Sequence, residues 1–137
     1  MRYYRAKAAC EAAVRAGGVP WTILRATQFH SLIDAILNPF RWMPVVPLPA
    51  SLKFQPIDAA VVADACVAAA QQPPAGLLPD LGGPEVLTLG ALAKIRYGRP
   101  VLSLPYPGAG AAAIRAGALC CPDRPTATKG YAAWCRA

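Results

Sequence analysis

Hydrophobic positions recur with helical spacing near the start of the chain, then switch to a short apolar run and back again. The first periodic segment, residues 3–16, predicts a helix ended by a Gly-Gly pair. The run at 22–24 predicts a strand, and residues 29–37 predict a second helix that stops before Pro39. A helix, a strand and a helix with short connections are typical of an α/β fold.

The middle of the chain has a different pattern. Proline recurs through residues 39–57, which predicts short extended pieces that serve as a lid, a substrate loop or a sheet edge. Residues 58–72 predict a helix that Asp58 caps. The buried face predicted for this helix consists of Val62, Ala65, Cys66 and Ala69.

The last part of the chain predicts short elements separated by breaks. Residues 73–84 are predicted as a loop, 85–89 as a strand, 90–98 as a helix and 99–107 as an extended piece. Two further helices are expected, one within residues 108–120 and a small one around Tyr131 and Trp134.

Composition and charge limit the classes of protein to which the chain could belong. The 137 residues suit one domain, and 55% of them are hydrophobic. The net charge of +7 is spread along the chain without an aromatic-basic cluster, which disfavours nucleic-acid binding. No apolar run approaches the length of a membrane helix and no secretory signal is visible, so we expect a soluble cytoplasmic protein.

The numbers and spacing of cysteine and histidine residues disfavour both a disulfide framework and a metal site. The five cysteines are dispersed except for Cys120-Cys121, which argues against a disulfide framework. The single histidine, His30, excludes a histidine-based metal cluster, so no metal is expected.

The first helix contains a spacing with a chemical use. Tyr3 and Lys7 form Y-x-x-x-K on one helical face, together with Cys10 and Val14. A lysine ammonium beside a tyrosine favours the phenolate, and the tyrosine can then exchange a proton with a carbonyl or an alcohol. The alternative is an ordinary helix in which Lys7 pairs with Glu11.

The order of segments around this motif resembles one protein family. A Y-x-x-x-K helix is followed by the strand "WTILR" and the turn "ATQF", and later by "FQPIDAAVVADACVAAA". The stretches "GGPEVLTLGALA" and "RAGALCCPDRPTATKGYAAW" extend the likeness over almost the whole chain. The sequence thereby resembles the NmrA-like NAD(P)-binding group of atypical short-chain dehydrogenase/reductase proteins.

The resemblance implies an α/β fold of the doubly wound, Rossmann-like kind that binds NADP or NAD. Tyr3 would be the acid/base residue, and Lys7 would hold the nicotinamide ribose and lower the pKa of the tyrosine. The resemblance places a turn beside the nicotinamide and a loop along the substrate cavity. The turn is Ala26, Thr27, Gln28 and Phe29, and the loop is Phe54, Gln55 and Pro56.

Three departures from the family pattern qualify this reading. The glycine-rich loop that the family places upstream of Y-x-x-x-K is absent from residues 1–137, so the pyrophosphate cradle is missing. Val61 stands where the family has an aspartate, and the helix within 90–98 is shorter than usual. We therefore expect residues 1–137 to be the C-terminal portion of one Rossmann-like domain, without its N-terminal strands. Residues 1–38 would form the helix-strand-helix part, and 39–137 the substrate-side and C-terminal segment.

The expected parent activity is NAD(P)H-dependent reduction of a small carbonyl or quinone-like compound. The alternatives are a non-catalytic NAD(P)-sensing regulator, or a truncated product that is inactive on its own. The expected partner is a small-molecule substrate, and neither nucleic acid nor a membrane. Because the strand at 22–24 would have an open edge, the isolated chain is expected to fold poorly or to self-associate through it.

Overall fold

The computed structural model describes residues 2–136, with side chains from Tyr4 onward. A 3₁₀ turn, Asn38–Phe40, follows the second α-helix. The α-helices of this range are α1 (Arg2–Ala16), α2 (His30–Leu37), α3 (Ala59–Ala70), α4 (Leu89–Tyr97), α5 (Ala109–Ala116) and α6 (Tyr131–Trp134). The strands are β1 (Thr22–Ile23), β2 (Val46–Leu48), β3 (Lys53–Phe54), β4 (Gly76–Leu77), β5 (Leu87–Thr88) and β6 (Val101–Ser103).

The strands form three two-stranded ladders. β1 pairs in parallel with β4, β2 pairs in parallel with β6, and β3 pairs antiparallel with β5. This is a mixed α/β architecture, as the hydrophobic pattern predicts, and both parallel ladders require a crossover connection. A fragment of a Rossmann-like sheet is compatible with these short ladders.

The β1–β4 ladder continues as single bridges along its carboxyl side. Ala26 bridges Leu81 in parallel, and Gly82 bridges Pro125 in parallel. The expectation of a loop over 73–84 is therefore wrong at β4. The segment has too few apolar residues to signal a strand, and the backbone of β1 supplies the hydrogen bonds that make it one: Gly76 N–H donates to the Trp21 carbonyl at 3.0 Å.

The hydrophobic core lies in the part of the molecule built by α2, β2, β3 and α4. Apolar side chains from these elements are joined by Tyr131 of α6. Side-chain caps begin two of the helices: Thr88 accepts a hydrogen bond from the backbone of Ala91 at the start of α4, and Asp58 accepts one from Ala60 at the start of α3. The buried core consists of Ile33, Leu37, Val46, Leu48, Leu52, Phe54, Leu89, Leu92, Ala93, Ala111 and Tyr131.

Helices α1 and α3 lie outside this core. From Tyr4 onward every residue of α1 is exposed except the half-buried Glu11, and no residue of α3 is fully buried. The predicted buried face of α3 is half-buried at Val62, Ala65 and Ala69, and the prediction is wrong at Cys66, which is exposed. Alanine-rich sequence makes a helix without specifying which side of it packs.

Candidate functional site

The turn predicted to lie beside the nicotinamide follows β1 directly. Thr27 N–H donates to the Leu81 carbonyl at 2.9 Å, which keeps the turn in register with the chain that follows β4. Beyond it, Ile57 N–H donates to the Gln28 carbonyl at 2.8 Å, and His30 N–H donates to the Ile57 carbonyl at 3.1 Å. The predicted turn and the loop Phe54–Pro56 are thus adjacent, at the carboxyl ends of two parallel strands.

Two glutamine side chains join the turn and the loop. Gln28 Oε1 accepts from Gln55 N–H at 3.0 Å, and Gln28 Nε2 donates to the Leu119 carbonyl at 2.8 Å. Gln55 Nε2 donates to the Gly83 carbonyl at 2.8 Å, while Gln55 Oε1 accepts from Cys121 N–H at 2.7 Å. These amides tie four separated chain segments together, because each satisfies backbone groups that would otherwise be buried without partners.

The Gly82-Gly83 pair makes this approach possible. A Cβ on Gly83 would overlap the Pro56 carbonyl oxygen, and a Cβ on Gly82 would meet Gln55 Nε2 at 2.6 Å and Cys121 Sγ at 2.7 Å. The loop predicted to line a substrate cavity therefore packs against bare backbone. A larger residue at position 83 would push the loop away from the turn.

The predicted substrate-side residues are buried. Phe54, Gln55 and Pro56 all lie within the fold, and both polar ends of Gln55 bind backbone groups. Two surface clefts have other linings. One, of about 450 Å³, is bounded by Thr22, Leu24, Cys66, Ala69, Ala70, Gln72 and Pro74. The other, of about 300 Å³, is bounded by Ala50, Thr88, Gly90, Ala91, Lys94 and Val101. Contact of residues 54–56 with a substrate stays a prediction.

An acidic residue of helix α1, Glu11, contacts this region. Arg25 binds Glu11 with two hydrogen bonds, Nε to Oε1 at 3.0 Å and Nη2 to Oε2 at 2.6 Å, and Arg15 adds an ion pair at 3.7 Å. Arg25 lowers the pKa of the Glu11 carboxyl by donating these hydrogen bonds. Arg25 lies just beyond β1, so the contact fixes the middle of α1 beside the start of the turn.

The position of Lys7 follows from that contact. Lys7 precedes Glu11 by one turn on the same helical face, about 6 Å along the axis, and its side chain is exposed. Arg15, one turn after Glu11, lies 5.6 Å from the ring centroid of Trp21, which precedes β1, so α1 runs antiparallel to β1. This direction places Lys7 toward the carboxyl side of the strand. The Tyr3 side chain lies outside the described residues, and its acid/base role stays a prediction. On the same helix Cys10 and Val14 are exposed, so the stripe that carries Lys7 is not buried within residues 2–136.

The sequence does not predict an aromatic cluster that begins at His30, directly after the turn. His30 is buried against Tyr131 and Trp134, with ring centroids 5.7 and 5.5 Å away, and its Nε2 lies 3.3 Å from the Lys129 carbonyl. Burial lowers the pKa of His30 and raises that of the Tyr131 hydroxyl. The sequence separates these residues by about a hundred positions, so only the fold reveals the contact. In the sequence, the indication of this cluster is a single histidine at the start of an apolar helix.

The described residues offer no site for a metal and no membrane span. Within residues 2–136, no group of three or more histidine, cysteine or acidic side chains could hold a metal ion. In the same range no helix is long and apolar enough to cross a bilayer. All five cysteines are unpaired, and burial is the main cause that raises the pKa of both Cys120 and Cys121, which disfavours a reactive thiolate there.

Comparison with known proteins gives one relative to consider. No family model matches the chain. The chain is similar to NADH dehydrogenase [ubiquinone] 1 alpha subcomplex subunit 9, mitochondrial, from Arabidopsis thaliana, with 37% identity over 105 residues. The match covers 70% of this chain and 26% of the relative, so the chain spans about a quarter of the length of the protein it matches. The name of this relative denotes a subunit of an NADH dehydrogenase, and the similarity does not show membership of this chain in the NmrA-like group.

Proposed function

We propose that the chain is part of an NAD(P)-binding protein of the short-chain dehydrogenase/reductase kind, and that it forms the nicotinamide side of the nucleotide site. The observation that carries the proposal is the meeting of the turn 26–29 with the loop 54–56 at the carboxyl ends of β1 and β4. Ligands of open α/β sheets bind at the carboxyl ends of the strands. The similarity to a subunit of an NADH dehydrogenase points to the same class of nucleotide.

The residues present fit one half of such a cofactor. Lys7 is exposed one turn before Glu11 on α1, and an ammonium group there could bind ribose hydroxyls. The turn would lie against the nicotinamide, and Thr27 has a hydroxyl that accepts from Gly83 N–H at 3.3 Å. When bound, the nicotinamide would supply the hydride. The glycine-rich cradle for the pyrophosphate does not occur within the 137 residues.

For the parent protein we propose NAD(P)H-dependent reduction of a small carbonyl or quinone-like compound. Tyr3 would supply the proton, and the ammonium group of Lys7 would lower the pKa of the tyrosine hydroxyl. The second candidate is a non-catalytic nucleotide-binding subunit or sensor, which the name of the relative favours, since it denotes an alpha subcomplex subunit of a larger complex. That name also places the relative in mitochondria, so a mitochondrial location stands beside the cytoplasmic one expected from the sequence.

Nucleotide affinity tests the proposal in two steps. Calorimetric titration of the 137-residue chain with NADPH and NADH should show weak binding or none, because the pyrophosphate has no glycine turn at a helix N-terminus. Coexpression with the N-terminal half of a related short-chain dehydrogenase should then restore affinity for one of them. Failure of this reconstituted protein to bind either nucleotide would contradict the proposal, and micromolar binding by the chain alone would contradict the assigned half-site.

Variants of the reconstituted protein separate the two candidate functions. If it is a reductase, Tyr3→Phe should lower turnover by about 10²–10⁴ while nucleotide affinity stays near normal. Lys7→Ala should weaken both, and Arg5→Ala, on another side of α1, is the matched control. Nucleotide binding without turnover of any carbonyl or quinone, insensitive to Tyr3→Phe, would favour the non-catalytic subunit.

A further inference from the structure

The ladder of β2 and β6 has one face in the core and one exposed apolar face. Val46 and Leu48 are buried, and Val101 packs against the core. Leu102, the next residue of β6, is 54% exposed, and Leu104 continues the ladder by donating its N–H to the Leu48 carbonyl at 2.9 Å while its side chain is also exposed. Exposed apolar patches of this kind mark interaction sites when polar groups surround them.

Aromatic residues stand at both ends of this face. Trp42 is 81% exposed in the loop before β2, and Tyr106 is 56% exposed just after β6. Arg99 holds the Trp42 loop beside the start of β6, because its Nη1 donates to the Arg41 carbonyl at 2.7 Å and the Met43 carbonyl at 2.9 Å. The length of β6 and its extension separates the two aromatic residues by about 20 Å. We call this surface, from Trp42 across Leu102 and Leu104 to Tyr106, the β2–β6 face.

Positive charge borders the same face. The Arg41 guanidinium lies 5.2 Å from the Trp42 ring centroid, and Arg115 Nη1 donates to the Tyr106 carbonyl at 3.0 Å. Residues 35–57 and 86–122, which build the β2–β6 face and its surroundings, contain no aspartate or glutamate. Their basic residues are Arg41, Lys53, Lys94, Arg96, Arg99 and Arg115, of which Arg96 is ion-paired with Asp34. Much of the net charge of +7 is therefore concentrated in these two segments.

We propose that the β2–β6 face docks on the surface of an anionic lipid membrane. Tryptophan and tyrosine favour the interfacial region of a bilayer, where one end of the ring is apolar and the other is hydrated. Arginines next to them attract anionic headgroups, and exposed leucines between them gain from burial at the acyl boundary. Binding of nucleic acid would leave the exposed leucines without an apolar contact. An acidic protein surface would attract the arginines but would not account for aromatic residues spread over about 20 Å. This peripheral contact departs from the sequence-based expectation of no membrane partner, which considered only a spanning helix.

Vesicle flotation tests the proposal with the full chain. We expect the chain to float with vesicles of phosphatidylcholine containing one third phosphatidylglycerol, to stay behind with phosphatidylcholine alone, and to be released by added salt. Arg41→Gln should weaken binding roughly fivefold, and Trp42→Ala or Leu102→Ser should weaken it several-fold. The matched controls are Arg136→Gln and Val19→Ser, which change an exposed arginine and an exposed valine elsewhere; they should bind as the wild type does.

Tryptophan fluorescence gives a second readout that does not depend on the amount bound. Anionic vesicles should shift the emission of the wild type to shorter wavelength, and Trp42→Phe should lose that shift although it still floats. Failure to float, equal flotation with neutral vesicles, or a shift that survives Trp42→Phe would overturn the proposal. So would retention by duplex DNA or polyglutamate, with the same sensitivity to Arg41→Gln, in the absence of flotation: the surface would then belong to a nucleic-acid or acidic-protein partner.

Discussion

Helices α2 and α3 show how differently the two regions of the molecule use apolar sequence. Helix α2 buries Ile33 and Leu37 fully against the core. Helix α3 is more uniformly apolar, yet it buries no residue completely and leaves Val67 58% exposed. We call the first region the packed region (α2, β2, β3, α4 and α6) and the second the open layer (α1, β1, β4 and α3). Burial follows from the presence of a partner surface, and the open layer lacks one within residues 2–136.

The open layer consists of two helices and the two-stranded ladder of β1 and β4, which is narrow for an α/β sheet. In residues 2–136, the hydrogen-bonded partner of β1 is β4, and the opposite edge of β1 has no strand beside it. An uncovered strand edge is a template for association. Self-association of the isolated chain through this edge, or its completion by further strands, stays a prediction that size-exclusion chromatography and thermal unfolding would examine.

A substitution in the packed region should have the largest effect. Leu37→Ala removes a fully buried side chain and should lower the free energy of unfolding by about 2–5 kcal/mol. Leu32→Ala, on the same helix but 48% exposed, should cost less than about 1 kcal/mol. Urea unfolding followed by circular dichroism measures both. Equal losses would mean that α2 does not pack through Ile33 and Leu37.

The open layer supplies the contrast to that pair. Val67→Ala on α3 should change the free energy of unfolding by less than about 0.5 kcal/mol, because the valine is exposed in the isolated chain. A loss comparable with that of Leu37→Ala would show that α3 has a partner surface in solution, and the comparison between the two regions would fail.

The junction between the regions should be nearly as sensitive as the core. Gly83→Ala places a Cβ on the Pro56 carbonyl oxygen, and forcing the loop away should cost about 1–3 kcal/mol or more. It should also break the Gln55–Gly83 hydrogen bond that joins the loop to the β4 segment. Gly18→Ala is the control, because a Cβ there meets nothing within 4 Å. If the unfolding curves of the two variants coincided, the close packing of the loop 54–56 against Gly83 would be contradicted.

Particular residues show how far the sequence predicts this molecule. Helices α1, α2 and α3 follow from periodicity and from stops such as Gly17 and Pro39, and Asp58 caps α3 as expected. Strand β4 does not follow, because its hydrogen bonds come from β1 and leave no local signature. Likewise, the resemblance names the loop Phe54–Pro56, but the pairing of Gln55 with Gln28 depends on two segments that meet only in the fold.

The roles of the candidate site residues stay predictions, and the sequence indicates only some of their contacts. The turn 26–29 and the loop 54–56 were each identified by resemblance, and the structure brings them together. The burial of residues 54–56 does not follow from the resemblance, since a motif states which residue stands at a position and not how much solvent reaches it. The cluster of His30 with Tyr131 was missed because aromatic contacts at long sequence separation have no periodic signal.

The smallest effect is expected where α1 meets β1, and pH is the means to observe it. Arg25 hydrogen bonds hold the pKa of Glu11 in the folded chain below its unfolded value, which is near 4.3. The folded state therefore gains from this contact above that pH and loses the gain as pH falls through the folded pKa of Glu11. Glu11→Gln should be slightly less stable than the wild type at neutral pH, and the two should converge in acid. Urea unfolding of both proteins from pH 7 to about pH 3 measures the convergence.

Because Glu11 is the one half-buried residue of α1 from Tyr4 onward, its loss should release the helix while the core stays folded. An increase in the amide exchange of α1 at neutral pH in Glu11→Gln, without a change in α2, would show that α1 is attached to the β1 segment mainly by this ion pair. Unchanged exchange would mean that other contacts hold α1, and Lys7 would then be positioned by something other than Glu11.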